Sequence, residues 1–169
     1  MKKLSAFVVA IVAIVVCSVA SAETKVVVFD LEAAILNTDA AKKASEALKK
    51  DAEYASLQAT YDSLRADMAA LQKKQESKGM TWDANTLAEH RKTVEYKRAD
   101  LELAVKKLQA EQNAAVRGLL QEYQGKAKKA LDEVIKAEGI SIVLSAKQSY
   151  YAEPSADITG KVTAKLNKM

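Results

Sequence analysis

From Tyr54 onward the apolar residues Tyr54, Leu57, Tyr61, Leu64, Met68 and Leu71 recur at alternating steps of three and four. That is the narrow stripe of a coiled-coil seam rather than the broad face of a globular helix. The pattern stops in the polar stretch 78–85 and resumes on a second helix, where Leu87, Val94, Leu101, Leu108 and Ala115 sit seven apart. Four residues after the first four of these stand Arg91, Arg98, Val105 and Gln112, which predicts a second seam position that is mostly polar and a tip packed more loosely than its root. Two long, narrow-seamed helices joined by a short break predict an antiparallel hairpin. The outgoing helix, read as continuous from Asp39 to about Ser77, would be about 57 Å long at 1.5 Å per residue, so it must project from any body this chain can build.

The flanking segments read differently. Residues 25–29 form a short apolar run rich in β-branched residues, suited to a strand buried on both faces. Asp30 is placed to cap a short helix over 31–36, and Thr38 to cap the long one, with Asp39 favourably set against its dipole. Gly118 and Gly125, seven apart on the return helix, are either close-packing positions or a possible hinge. Beyond them Leu120, Tyr123, Ala127, Leu131 and Val134 make a wider stripe expected to lie on a body. Gly139 is placed as a left-handed C-cap. Residues 140–144 then read as a strand with Ile140, Ile142 and Leu144 on one face, and 149–152 as its hairpin partner. Asp157 can cap a closing helix over 158–166. Three short strands leave unpaired edges, so Val26, Val28, Ile140, Ile142 and Leu144 are expected to hold subunits together.

At 169 residues this is a small body with one large excursion. Abundant Ala, Lys, Glu and Leu with a single proline is the composition of long helices. Residues 1–22 read as a cleaved secretory signal: Lys2 and Lys3, an apolar run from Leu4 to Cys17, then Ala20-Ser21-Ala22. The run is shorter than the ~20 residues that span a bilayer, and Ile14-Val15-Val16 lacks the small residues that usually precede a lipidated cysteine. The organisation is therefore a signal over 1–22, a body from 23–39 and 116–169, and an arm over 40–115. Removing the signal removes the sole cysteine, and with it disulfide, thiol and thiolate chemistry. Of 26 basic residues against 22 acidic, loss of Lys2 and Lys3 leaves 24 against 22, a poor match to nucleic acid.

Chemistry is sparse. There is no glycine-rich phosphate loop, no HExxH and no carboxylate cluster, so no cofactor, metal site or catalytic residue is expected and the chain is not read as an enzyme. His90, the sole histidine, is expected as a solvated residue near the tip. What the tip offers is adhesive surface: Met80 and Trp82 in the break look surplus to packing, beside Lys73, Lys74, Lys78, Arg91, Lys92, Lys97 and Arg98. Residues 65–98 carry eight basic and five acidic side chains, an excess that would attract acidic chains or anionic lipid and lipopolysaccharide.

Val26-Val27-Val28-Phe29-Asp30-Leu31 followed by Thr38, and Lys136-Ala137-Glu138-Gly139-Ile140-Ser141-Ile142-Val143-Leu144 leading to Tyr151-Ala152, Asp157-Ile158-Thr159, Val162 and Leu166, resemble the OmpH-like periplasmic chaperone family. Asp39 departs from the proline that often follows the capping residue there. The resemblance implies an α+β, mostly α fold: a long coiled-coil hairpin projecting from a small β-barrel body assembled by a homotrimer, jellyfish-like. It further implies a periplasmic holdase that keeps unfolded outer-membrane β-barrel proteins soluble without ATP. The competing reading is an exported coiled-coil adaptor for one folded envelope partner.

Overall fold

The computed structural model describes residues 24–169; the expected signal segment lies outside them. Strand β1 (Val26–Phe29) leads into helix α1 (Leu31–Leu36), followed by α2 (Asp39–Lys50), α3 (Ala52–Lys78), α4 (Ala84–Glu138), strand β2 (Ile142–Ser145) and α5 (Thr159–Leu166). The strands pair in parallel, Val26 opposite Ile142 through Phe29 opposite Ser145. Parallel neighbours need a crossover to return the chain to the same end of the sheet. Here that crossover contains the whole arm.

Short-range chemistry sets the helix ends. The Asp30 carboxylate accepts from the amide of Ala33, and the Thr38 hydroxyl accepts from that of Ala41. Thr38 is almost wholly buried, and its Oγ1 also donates to the carbonyl of Ile35 at 2.7 Å, so one side chain ties the end of α1 to the start of α2. Gly139 takes φ 63° and ends α4, a conformation that carries a steric penalty for residues with a Cβ. Asp157 accepts from the amide of Thr159 at the head of α5.

Val27, Ala34, Ile35, Ala127, Ala130, Ile158 and Val162 form the centre of the body core. β1 lies between β2 on one side and an isolated bridge from Val28 to Asp157 on the other. Thr163 donates to the carbonyls of Ala34 and Thr159, and Thr159 accepts from the amide of Asp30, so both hydroxyls of α5 are satisfied against the start and middle of α1. Glu138, at the end of α4, binds Lys161 at 2.6 Å and Lys25 at 2.7 Å, joining α4, α5 and the start of β1.

Three expectations are corrected. The outgoing helix is not continuous. Asp51 leaves helical geometry with ψ 133°, and its carboxylate accepts from the amides of Glu53 and Tyr54, so a residue that could have continued the helix instead starts a new one. The segment 149–152 is not a strand. Residues 146–148 form a 3-10 turn, and the chain then runs irregularly to a second such turn at Pro154–Ala156. Among the described residues the sheet therefore has two strands. Ile140, Ile142 and Leu144 do not share a face either: Ile140 precedes the strand and is buried, whereas Ile142 and Leu144 are 44% and 48% exposed.

Replacing Thr38 by valine keeps the shape and removes both hydrogen bonds. It should lower unfolding free energy by about 1–2 kcal/mol in urea denaturation; an unchanged midpoint would show that the cap contributes nothing. The hydrogen bonds from Lys161 and Lys25 hold the Glu138 carboxyl below its ordinary value. Their contribution is therefore complete above the usual carboxylate range and is lost as pH falls through the lowered folded-state value. The Glu138→Gln variant should accordingly show a flatter loss of thermal stability between about pH 5 and pH 3 than the parent.

Candidate functional site

The arm is α3 packed antiparallel on roughly the first half of α4. On α3 the buried or half-buried positions include all those the spacing predicts, Tyr54, Leu57, Tyr61, Leu64, Met68 and Leu71, together with Gln58 and Asp67. On α4 they are Leu87, His90, Val94, Lys97, Leu101, Ala104, Leu108, Glu111 and Ala115. The second seam position thus lies three residues after the first, at His90, Lys97, Ala104 and Glu111, and not four after it. Arg91, Arg98 and Gln112 are exposed flanking residues, and Val105 is half-buried. Both spacings occur in a heptad, and only the direction in which α3 approaches α4 decides between them.

Polar pairs fix the register. Lys97 Nζ binds the Asp67 carboxylate at 2.7 Å, and Gln112 donates to the Tyr54 hydroxyl at 2.7 Å. The hydrogen bond to Asp67, with its charge, raises the Lys97 ammonium above the ordinary lysine value. With the carboxylate ionised, the pair supports the closed hairpin fully below the usual lysine range and loses that support as pH rises through the raised value. Lys97, expected as a free basic residue of the tip, is instead paired with Asp67 across the two helices of the hairpin. Asp67, Gln112 and Tyr54 were not visible as partners in the sequence because their meeting depends on register.

At the tip, α3 gives way to a 3-10 turn at Gly79–Thr81, and Asp83 caps α4 by accepting from the amide of Thr86 at 2.7 Å. Met80 is fully exposed. Trp82 is not surplus to packing: its ring lies 4.5 Å from that of His90, tilted by 47°. His90 is not a solvated residue but is 7% exposed within the seam, with no hydrogen-bond partner at Nε2. The three-residue step from Leu87 was the available signal for its burial.

Lys73, Lys74, Lys78, Arg91, Lys92 and Arg98 are exposed, and among the described residues none of them forms an ion pair. Arg91 and Arg98 line a shallow groove of about 330 Å³ with Gln75, His90, Val94 and Glu95. Lys74 lines another on the opposite side of the seam, of about 320 Å³, with Asp67, Leu71, Thr93 and Lys97. Lys92 lies over the Tyr96 ring at 5.9 Å, within range of a weak cation–π contact.

A larger depression of about 960 Å³ lies on the body. Phe29, Leu31, Ile35, Leu120, Val143 and Leu144 give it an apolar floor, and Arg117 and Lys147 stand at its edge. Lys147 is itself bound to Glu32 and lies 3.9 Å from Asp30. Val26, Ile142 and Leu144 are each more than 40% exposed, whereas Val28 is buried; of the residues expected to join subunits, three face outward in the single chain and Val28 and Ile140 belong to its own core. Among the described residues there is no cluster of metal-ligand side chains and no helix long and apolar enough to cross a membrane.

A model of the family described as outer membrane protein (OmpH-like) matches residues 25–166. A search of curated proteins gave no match. Among solved structures, an OmpH-like protein from Caulobacter crescentus is 21% identical, with 85% of this chain and 84% of that one covered and a TM-score of 0.48.

Gly118 and Gly125 lie in unbroken α4 where the arm joins the body, and a Cβ added at either would meet nothing within 4 Å. Close packing within the chain is therefore not the reason for either glycine. Alanine at each should raise unfolding free energy by about 1 kcal/mol per site, measured by urea titration. If the pair is instead a close-approach surface between chains, the double variant should lose self-association in sedimentation.

Proposed function

The chain belongs to the OmpH-like family, and on that premise we propose that it is a periplasmic, ATP-independent holdase for unfolded outer-membrane β-barrel proteins, working as a homotrimer whose arms surround a shared cavity. The observation that carries this reading is the apolar face left uncovered on the body beneath a long projecting arm. Val26, Ile142 and Leu144 at the sheet, continuous with the depression floored by Phe29, Leu31 and Leu120, present surface that other copies of the chain would bury. A two-stranded sheet is marginal alone. Pairing β2 of one subunit with strands of the next would extend it toward a closed barrel and leave the arms pointing from the body.

The arm suits capture of extended, variable chains. Its seam uses most of the apolar positions, so what remains outward is largely charged, with exposed Tyr96 and Leu103 on α4 and unpaired cations and fully exposed Met80 toward the tip. Contacts of this kind are individually weak and tolerant of sequence, and a flexible thioether adapts to irregular partners. Basic side chains at the tip would draw acidic segments, and anionic lipid or lipopolysaccharide, by an attraction that salt screens.

The mature chain should run as a trimer in sedimentation equilibrium and should suppress light scattering by a urea-diluted outer-membrane β-barrel protein at low salt. A monomer would remove the cavity, and a trimer without suppression would favour the adaptor reading. Met80→Ser removes an exposed apolar side chain without touching the seam. It should weaken capture by about threefold to tenfold, as expected for loss of roughly 1 kcal/mol of apolar contact, with the oligomer unchanged.

A further inference from the structure

We propose that His90 and Trp82 form a pH-sensitive clasp, closed while His90 is neutral and opened when it is protonated. The turn at Gly79–Thr81 is otherwise held by local bonds alone: the amide of Gly79 to the carbonyl of Gln75, Thr81 Oγ1 to the carbonyl of Lys78, the amide of Trp82 to the carbonyl of Gly79 at 3.4 Å, and the Asp83 cap. None of these joins the turn to the seam. The ring contact between Trp82 and His90 does, and it places the indole against a side chain that is itself wedged between α3 and α4.

The neutral ring can occupy that position at the cost of one unpaired nitrogen. Protonation puts N–H groups on both nitrogens and a charge on the ring, and the buried Nε2–H then has no acceptor. The neighbours do not offset this. From α3, Gln75 shares the groove and is neutral, while Lys74 lies across the seam and Lys78 ends the helix. At the turn, Asp83 is committed to the amide of Thr86. On α4, Arg91, Glu95 and Arg98 line the groove, with Glu89 next in sequence to His90. In the groove that His90 lines, two cations, Arg91 and Arg98, stand against one carboxylate, Glu95, so an imidazolium has no net attraction to the seat and a charged His90 gains by turning out to water and releasing Trp82.

The carboxylate cap titrates elsewhere. Hydrogen bonding by Thr86 holds the Asp83 carboxyl below its ordinary value, so the start of α4 stays capped while the imidazole changes charge. This inference goes beyond the holdase reading, since it is read on the free protein and is independent of client capture.

His90 is the sole histidine and Trp82 the sole tryptophan, so each half of the clasp reports on itself. In the unmodified mature protein, lowering pH from about 8 to about 5, across the range where an exposed imidazole titrates, should shift Trp82 emission to longer wavelength and raise its acrylamide quenching constant about twofold. Helical circular dichroism should stay constant. The midpoint should coincide with that of the His90 ring resonances in a nuclear magnetic resonance titration. His90→Leu, an ordinary seam residue, should keep the blue-shifted emission at both extremes. A pH-independent emission in the parent, midpoints that differ, or the same emission shift in a folded His90→Leu variant would each overturn the clasp.

Discussion

The parallel pairing of β1 with β2 is the constraint on which the rest of this structure depends. It joins residues on either side of the entire hairpin, and so closes a loop of more than a hundred residues. Closure entropy rises only slowly with loop length, so a long arm adds little to the price of bringing the strands together. What must oppose that entropy is local to the body: Val27 beside the strand register, Ile35 and Ile158 on its flanks, and α4 laid across them through Ala127, Ala130 and Val134. The ion pairs of Glu138 sit at the C-terminal end of α4, and fasten that end of the helix to the start of β1 and to α5.

The arm follows a different balance. Its seam is apolar along α3, but on α4 apolar residues alternate with His90, Lys97 and Glu111, relieved only by Ala104. Polar layers weaken a two-helix interface relative to aliphatic ones and in exchange specify register, as Lys97 does through Asp67. Near the root, Tyr54, Leu64, Ala104 and Leu108 are buried. Toward the tip the seated polar residues are held by one ion pair and one aromatic contact. Cohesion thus falls along the arm in the direction in which exposed cations and Met80 accumulate.

Features set within a few residues were legible in the sequence. Asp30, Thr38 and Gly139 cap the helices they were expected to cap, because a side-chain oxygen three residues before an amide, or a glycine after a helical run, acts without reference to the fold. Tertiary features were less so. The break at Asp51 competes with strong helix-forming neighbours on both sides, and nothing local says that its carboxylate will choose the amides of Glu53 and Tyr54. His90 reads as a surface polar residue until the approach of α3 selects the three-residue step from Leu87. The parallel mate of β1 could not be read from spacing at all, and the apparent strand at 149–152 gave way to turns that leave Tyr150 and Tyr151 exposed. The basic residues of the tip were legible as a group, but which of them is already bound, Lys97, depends on register.

The two helices of the arm are not equivalent in the way they meet the body. α4 passes from tip to core as one helix of 55 residues, about 82 Å of unbroken rod, whereas its companion is jointed at Asp51. Bending stiffness at the root therefore resides in α4, and α2 acts as a short stay beside it. With about 50 Å of rod beyond the core, a rotation of only 10° at the root would sweep the tip through roughly 9 Å. Any yielding near Gly118 and Gly125 would thereby be converted by leverage into a large displacement of the tip, with no need for either helix to unwind.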